Sequence, residues 1–217
     1  MEAILYKGND KPCTLSVTHL KDCVIVNMCL DVKTTEVPVS DEYPDGKCYE
    51  YVNISGVTPG LTVRGILKEI ALLGYFDRLN ADFVQSLADA CPEVDMLTAL
   101  KDVKCLTIDM YDTSENVNSF SLGGMPMWLS LEERKSMRQS LIALKAEGID
   151  TFTYWSGLIP FSMPVAQFEA ILNAVEVYAL TCFNTTAQHK ADVYKLTSLE
   201  EIMSYDVTAG YPQKLQF

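Results

Sequence analysis

Residues 118–134, NSFSLGGMPMWLSLEER, constrain the fold of this chain more than any other stretch. Three backbone rules succeed one another within it. Phe120 and Leu122 alternate with Ser119 and Ser121, the period-two pattern of a half-buried strand. Gly123-Gly124 supplies the two-residue turn of a hairpin, since both glycines accept positive φ without a steric cost. The return arm holds Met125, Met127 and Trp128, and Pro126 confines that arm to a sheet edge or a bulge. Ser130 with Glu133 three residues on is the capping-box spacing that starts a helix. The segment therefore reads as a junction from sheet to helix, and no part of it points to catalysis.

Upstream, residues 14–18 (TLSVT) alternate, residues 24–30 form an apolar run, and residues 48–54 alternate again. Residues 31–46 turn polar and hold Pro38, Pro44 and Asp45-Gly46, which predicts a loop with one edge strand. A turn is expected at residues 56–60. Together these predict an antiparallel meander of about four strands. The period then changes: Val63, Ile66, Leu67, Ile70 and Leu73 predict a helix ending at Gly74, and an Asn80 cap opens a second. Pro92 suits the first position of a short third helix through Leu100, residues 105–110 read as a strand, and residues 109–116 as a polar loop.

Downstream of the junction, residues 130–148 predict an amphipathic helix with Met137, Leu141 and Leu144 inward. Residues 151–155 and 158–163 predict a hairpin about Ser156-Gly157, with Phe152 opposite Phe161 and Tyr154 opposite Ile159 on one apolar face. Pro164 opens a helix with the stripe Phe168, Ile171, Leu172, Val175, Ala179 and Cys182; residues 184–196 read as a further helix. Ser198 with Glu201 is a second capping box, and residues 206–217 look extended. The fold class is α+β. The expected division is an acidic β-rich unit with helices over 1–107, then a unit of β-hairpins packed on several α-helices over 108–217.

Charge narrows the function classes. Residues 1–117 hold 10 Lys and Arg against 19 Asp and Glu, a net of −9; residues 118–217 hold 7 against 10, a net of −3. A phosphate backbone or an anionic bilayer is repelled by such a surface, so neither nucleic acid nor membrane is an expected partner. The seven cysteines (Cys13, Cys23, Cys29, Cys48, Cys91, Cys105, Cys182) form no CxxC pair, and two histidines complete no zinc pattern. Buried free thiols in a reducing compartment are the reading. The first residues, MEAILYKGND, show no signal-peptide pattern, and no run reaches the roughly 20 apolar residues of a membrane span. A soluble protein folding in a cytoplasm is expected.

No catalytic residue, metal ligand or cofactor-binding residue is assigned. His19 sits at a strand-to-loop transition and His189 on a helix; neither neighbours a nucleophile motif, and both read as structural or surface histidines. Asp41-Glu42…Asp45 and Asp109…Asp112…Glu115 read as solvated acidic loops and do not match a calcium loop. P-loop and GxGxxG patterns are missing. Trp128, Trp155, Tyr154 and Tyr178 suit either core packing or a sugar-stacking surface. Interface candidates are Trp128, Pro126, Trp155 and His189.

The second half also carries a set of short motifs: Val117-Asn118-Ser119-Phe120, Met127-Trp128-Leu129, Glu133-Arg134, Tyr154-Trp155, Met163-Pro164, Ala174-Val175-Glu176-Val177-Tyr178-Ala179, Cys182-Phe183-Asn184, Thr186…His189-Lys190 and Tyr205-Asp206…Gly210-Tyr211-Pro212…Leu215. With these residues it resembles a small C-terminal domain of uncharacterised function found in virion proteins of bacteriophages, tail and tail-fibre proteins especially, in phages of gut Bacteroides and their relatives. The resemblance spans residues 110–217. It implies a non-enzymatic virion structural protein of the tail, the fibre-attachment region or the neck, made in the host bacterial cytoplasm. The implied partners are other virion proteins and further copies of the chain. A tail-fibre assembly chaperone and a sugar-binding host-attachment module are the alternatives.

Overall fold

Alternation along three of its strands gives the first part of the chain an apolar face that must be covered, and three helices and a returning segment cover it. The computed structural model describes residues 1–19, 21, 24–58 and 62–217; Cys23 and the far end of the expected 56–60 turn lie outside these, as does the side chain of His19. Strands β1 (Glu2–Gly8), β2 (Leu15–His19), β3 (Val24–Glu36) and β4 (Lys47–Thr58) form an antiparallel sheet in the order β1-β4-β3-β2. Thus β2-β3-β4 is a meander, but β1 pairs with β4 instead of extending it. The sequence reading had no strand at the N-terminal end; Ile4 and Leu5 are both exposed, so β1 lacks the one-sided alternation that identifies a strand.

Polar residues 31–36, read as loop, belong to β3. Leu30 pairs with Val52 and Lys33 with Glu50, so Asp31 and Val32 together oppose Tyr51 in a bulge. Asp31 sits at φ 55°, a conformation that Asp tolerates better than most residues, and its carboxylate accepts a 2.8 Å bond from Arg78 Nη1. The bulge lets the ladder continue to Glu36.

On one face of this sheet Val26, Met28, Leu30, Val52 and Ile54 are buried against α1 (Val63–Leu72), α2 (Ala81–Ala90) and α3 (Met96–Asp112). Thr62 and Asn80 cap α1 and α2 by accepting from the N–H groups of Gly65 and Phe83. Asp95 serves α3, taking the Thr98 N–H and hydroxyl, so that helix opens four residues beyond Pro92. It then runs through residues 105–110, which the sequence reading gave as a strand. A short apolar run fits either element; burial of Ala99, Leu100, Val103 and Ile108 at helical spacing decides it. Asp109 and Asp112 therefore stand on a helix and not in an acidic loop.

The second unit begins with the hairpin β5 (Phe120–Leu122) and β6 (Met125–Met127), turned by Gly123 and Gly124 at φ 58° and 84°. The Leu215 carbonyl accepts from the Ser121 N–H and the Phe217 N–H donates to the Ser121 carbonyl, so the extended tail makes a parallel bridge to the outer side of β5 at Gln216. Helix α4 (Leu131–Ala146) opens on the expected box: Glu133 N–H donates to Ser130 Oγ at 3.2 Å, and Ser130 N–H to Glu133 Oε2 at 2.7 Å. Strands β7 (Thr151–Ser156) and β8 (Ile159–Pro164) pair Tyr154 with Phe161 and Phe152 with Met163, around Gly157-Leu158. The expected register was two residues away. A two-residue slip returns each side chain to its own face, so the apolar face is the expected one and the turn is not. Positive φ at Gly157 supplies the first central residue of that turn.

Pro164 ends β8, and α5 (Val165–Lys195) is one helix of 31 residues where two were expected. No Gly or Pro interrupts it, and Thr181 and Thr185 bond back to the carbonyls of Val177 and Thr181, which keeps their hydroxyls from breaking the turn. The second core gathers Phe120, Leu122, Met127, Leu129, Leu141, Phe168, Ile171, Leu172 and Val175.

The chain forms two compact units, residues 1–107 with 190–206, and residues 108–189 with 207–217. The return of 190–206 is absent from the sequence division; α6 (Leu199–Ser204) buries Ile202 in the first core, with Leu196, Leu199 and Met203 beside it.

Two outcomes check these elements. Ser130→Ala lowers the unfolding free energy by about 1 kcal/mol with an unchanged urea m-value. The Glu201 carboxylate is held below its usual pKa, first by the Thr197 N–H and then by that of Ser198. Its unfolded form therefore binds protons at higher pH than its folded form. Its contribution is complete above the ordinary carboxylate range and is lost as pH falls through the folded value. A pH series of urea midpoints is accordingly flatter on its acid limb in Glu201→Gln.

Candidate functional site

In the second unit, residues from five segments meet in a polar seam along α5. Arg134, on the first turn of α4, is 8% exposed. Its Nε donates to Glu176 Oε2 and its Nη1 to the Leu129 carbonyl, each at 2.6 Å. The guanidinium lies 5.7 Å from the Trp128 ring centroid, and Trp128 meets Tyr178 edge-on at 6.3 Å. The Tyr178 hydroxyl donates to the Val117 carbonyl at 2.8 Å. Arg138 donates to Asn173 and Lys145 bonds Glu169, so α4 and α5 are laced antiparallel along their length.

Two turns further along α5, Thr186 donates to Asp112 Oδ1 at 2.8 Å and lies 2.8 Å from the Tyr211 hydroxyl. Thr186 has one hydroxyl proton, so with that proton on Asp112 the Tyr211 hydroxyl is the donor between them. His189 Nε2 is 2.8 Å from the Ala209 carbonyl, which only accepts, so Nε2 carries a proton. The imidazole stacks on Tyr211 at 5.6 Å, and Tyr111 packs edge-on against the same Tyr211 ring at 5.4 Å.

This seam contains the side chains of an acid–base or nucleophilic site, yet its electrostatics work against such use. Burial pushes the Cys182 thiol up and the Tyr178 phenol well above its usual range. Burial likewise raises Tyr211, with the Asp112 carboxylate adding to it and the Thr186 bond opposing. A thiol and two phenols kept protonated offer neither a thiolate nor a phenolate. The chemistry of the seam is attachment: it ties the loop at Val117, the start of α4 and the tail at 209–211 to one helix.

Of the four interface candidates, Trp128 and His189 fall inside this seam, half-buried and buried. Pro126 is exposed on β6, and Trp155 is 60% exposed on β7. The sequence reading missed two further apolar groups. Leu158, at the tip of the β7–β8 hairpin, is 94% exposed with Ile159 beside it. Val177, Leu180 and Phe183 are exposed on α5 at intervals of three. Their spacing was legible as a second apolar row on that helix, next to the stripe that packs inward.

Each unit has a cleft large enough for a small molecule. One, of about 470 Å³, is lined by Ser140, Ala143, Leu144, Glu147, Ile149, Thr151, Phe152 and Thr153. The other, of about 330 Å³ in the first unit, is lined by Thr62, Val63, Arg64, Cys91, Glu93, Val94, Asp95 and Thr98. Burial raises the Cys91 thiol, and the Thr98 hydroxyl and N–H hold Asp95 below its usual range, so the second cleft presents a protonated thiol beside a firm carboxylate. Among the described residues no group of three or more His, Cys, Asp or Glu is placed to hold a metal ion, and no helix is long and apolar enough to cross a membrane.

No protein-family model matches the chain, and neither a curated protein nor a solved structure does.

Arg134→Met separates the seam from the exposed rows. It strands the Leu129 carbonyl, and urea unfolding is expected to show a loss of about 1–3 kcal/mol. Trp155→Ala, at an exposed position, stays within about 0.5 kcal/mol of the parent.

Proposed function

We propose that the chain is a non-enzymatic structural protein of a bacteriophage virion, a component of the tail, the fibre-attachment region or the neck, working through protein–protein contacts. One observation carries this reading beside the sequence resemblance. In the second unit the reactive side chains are spent on holding the fold, while large apolar side chains (Trp155, Leu158 and Ile159 on the hairpin, Val177, Leu180 and Phe183 on α5) face outward. Large apolar side chains left exposed in rows and at a hairpin tip are what a contact surface would use. A subunit of an assembly needs such surfaces; an enzyme needs the reverse, apolar groups inside and a reactive group at a cleft.

The motifs behind the resemblance support the same reading. Trp128, Arg134, Tyr178, Thr186, His189 and Tyr211, which carry the resemblance, are also residues of the seam that holds the unit together. The sugar-binding alternative keeps a single open indole, Trp155, because Trp128 is engaged by Arg134 and Tyr178.

Mass spectrometry of purified particles from cells that express the chain tests the proposal. Its peptides are expected at a fixed ratio to other virion proteins, and Leu158→Ser is expected to reduce that ratio severalfold without loss of soluble protein. Abundance in the lysate with absence from particles would instead identify an assembly chaperone.

A further inference from the structure

Among the described residues strand β1 lies at the edge of the first sheet and pairs with β4 alone, through an unbroken seven-residue ladder from Glu2 opposite Ser55 to Gly8 opposite Tyr49. Its other side is a row of backbone donors and acceptors. Edge strands are ordinarily guarded by a proline, a bulge, a central lysine or shortness. The opposite edge follows that rule: β2 has five residues and presents Ser16 and Thr18. β1 does not follow it. Its centre is Ala3-Ile4-Leu5-Tyr6, and Ile4 and Leu5 are 59% and 69% exposed on opposite faces of the strand.

We propose that β1 is a self-association edge, and that two copies of the chain pair through β1 in antiparallel fashion about a two-fold axis at Leu5, joining their sheets into one of eight strands. Three observations select a second copy. With Leu5 opposite Leu5 of the other copy, Ile4 falls opposite Tyr6 on the other face, so both exposed apolar residues gain apolar cross-strand neighbours at once. The two charges of β1, Glu2 and Lys7, sit at opposite ends; antiparallel pairing brings the acidic end of one strand to the basic end of the other, which parallel pairing would not. Because these charges cancel, β1 is a neutral stretch on a chain of net charge −12, where close approach of two copies meets least repulsion. The two-fold makes the contact isologous and closed. The pairing does not rest on the virion reading.

Light scattering across a concentration series of the whole protein tests it. A dissociation constant of about 10 µM leaves most chains paired at roughly 100 µM. The expected mass there is twice 24.2 kDa, falling to the single-chain value in Leu5→Lys with an unchanged far-UV circular dichroism spectrum. Should Leu5→Lys lose that spectrum, Ile4→Lys makes the same test from the other face. A monomeric parent, as when the edge recruits a foreign strand, overturns the proposal, as does an oligomer indifferent to both variants. The register has its own readout, in a Cys13→Ser background because Cys13 is exposed. Leu5→Cys is expected to form an interchain disulfide under mild oxidation at least tenfold faster than Lys7→Cys, whose copies stand far apart across the axis. Equal or reversed rates overturn the register.

Discussion

Both units depend on the one-sidedness of short antiparallel sheets. Successive side chains on a strand point to opposite faces, and the helices of each unit cover one face of its sheet. In the first unit Val26, Met28, Leu30, Val52 and Ile54 are that face; each such side chain, fully covered, contributes about 1.5–3 kcal/mol of apolar burial. Helices α1, α2 and α3 are placed by this requirement, and their caps at Thr62, Asn80 and Asp95 decide where each begins. The opposite face has a small cluster of its own, in which the tilted rings of Tyr6 and Tyr51 meet at 4.8 Å beside Cys29 and Tyr49. In the second unit the same rule puts Phe152 and Tyr154 against Phe168 of α5 and leaves Trp155 outside.

Burial of polar groups sets the second constraint. A buried guanidinium or hydroxyl is tolerated only with partners, and each partner it takes fixes another segment. Arg134 takes the Leu129 carbonyl and Glu176, Tyr178 takes the Val117 carbonyl, and Thr186 takes Asp112 and Tyr211. Segments distant in sequence are thus tied to α5 by bonds whose loss would leave a desolvated group behind. The burial that makes the seam a good fastener also raises the Cys182 thiol and the Tyr178 and Tyr211 phenols, so it offers neither a thiolate nor a phenolate.

How far the sequence revealed the fold depended on whether local chemistry or tertiary context made the decision. Capping boxes at Ser130 and Ser198 and the Gly123-Gly124 turn are local: a side chain and a backbone group a few residues apart suffice, and each was legible. The β7–β8 pair shows the limit. Alternation fixes which face a residue occupies, but a slip of two residues preserves every face, so the pattern alone could not tell Gly157-Leu158 from Ser156-Gly157. Residues 105–110 were misread because an apolar run says nothing of its own period, and Ile108 shows helical spacing only with Ala99, Leu100 and Val103 counted beside it. β1 escaped notice because its exposed pair, Ile4 and Leu5, breaks the alternation.

The candidate site was legible in the same uneven way. Trp128 and His189 stood out as rare residue types, but rarity does not reveal burial, and the structure packs Trp128 beside Arg134 and His189 on Tyr211. What the sequence concealed was exposure. Apolar residues contribute the same letters whether they face a core or solvent, and only the arrangement of β7, β8 and α5 shows that Leu158 and Val177 face outward while Phe168 and Val175 do not. A helix with one inward stripe needs nothing more for its own unit, so a second apolar row beside it must be explained by something other than folding stability. The same reasoning applies to the unguarded edge at β1. Residues that a lone chain could keep polar at no cost to its core are apolar here, as the proposed pairing through β1 requires.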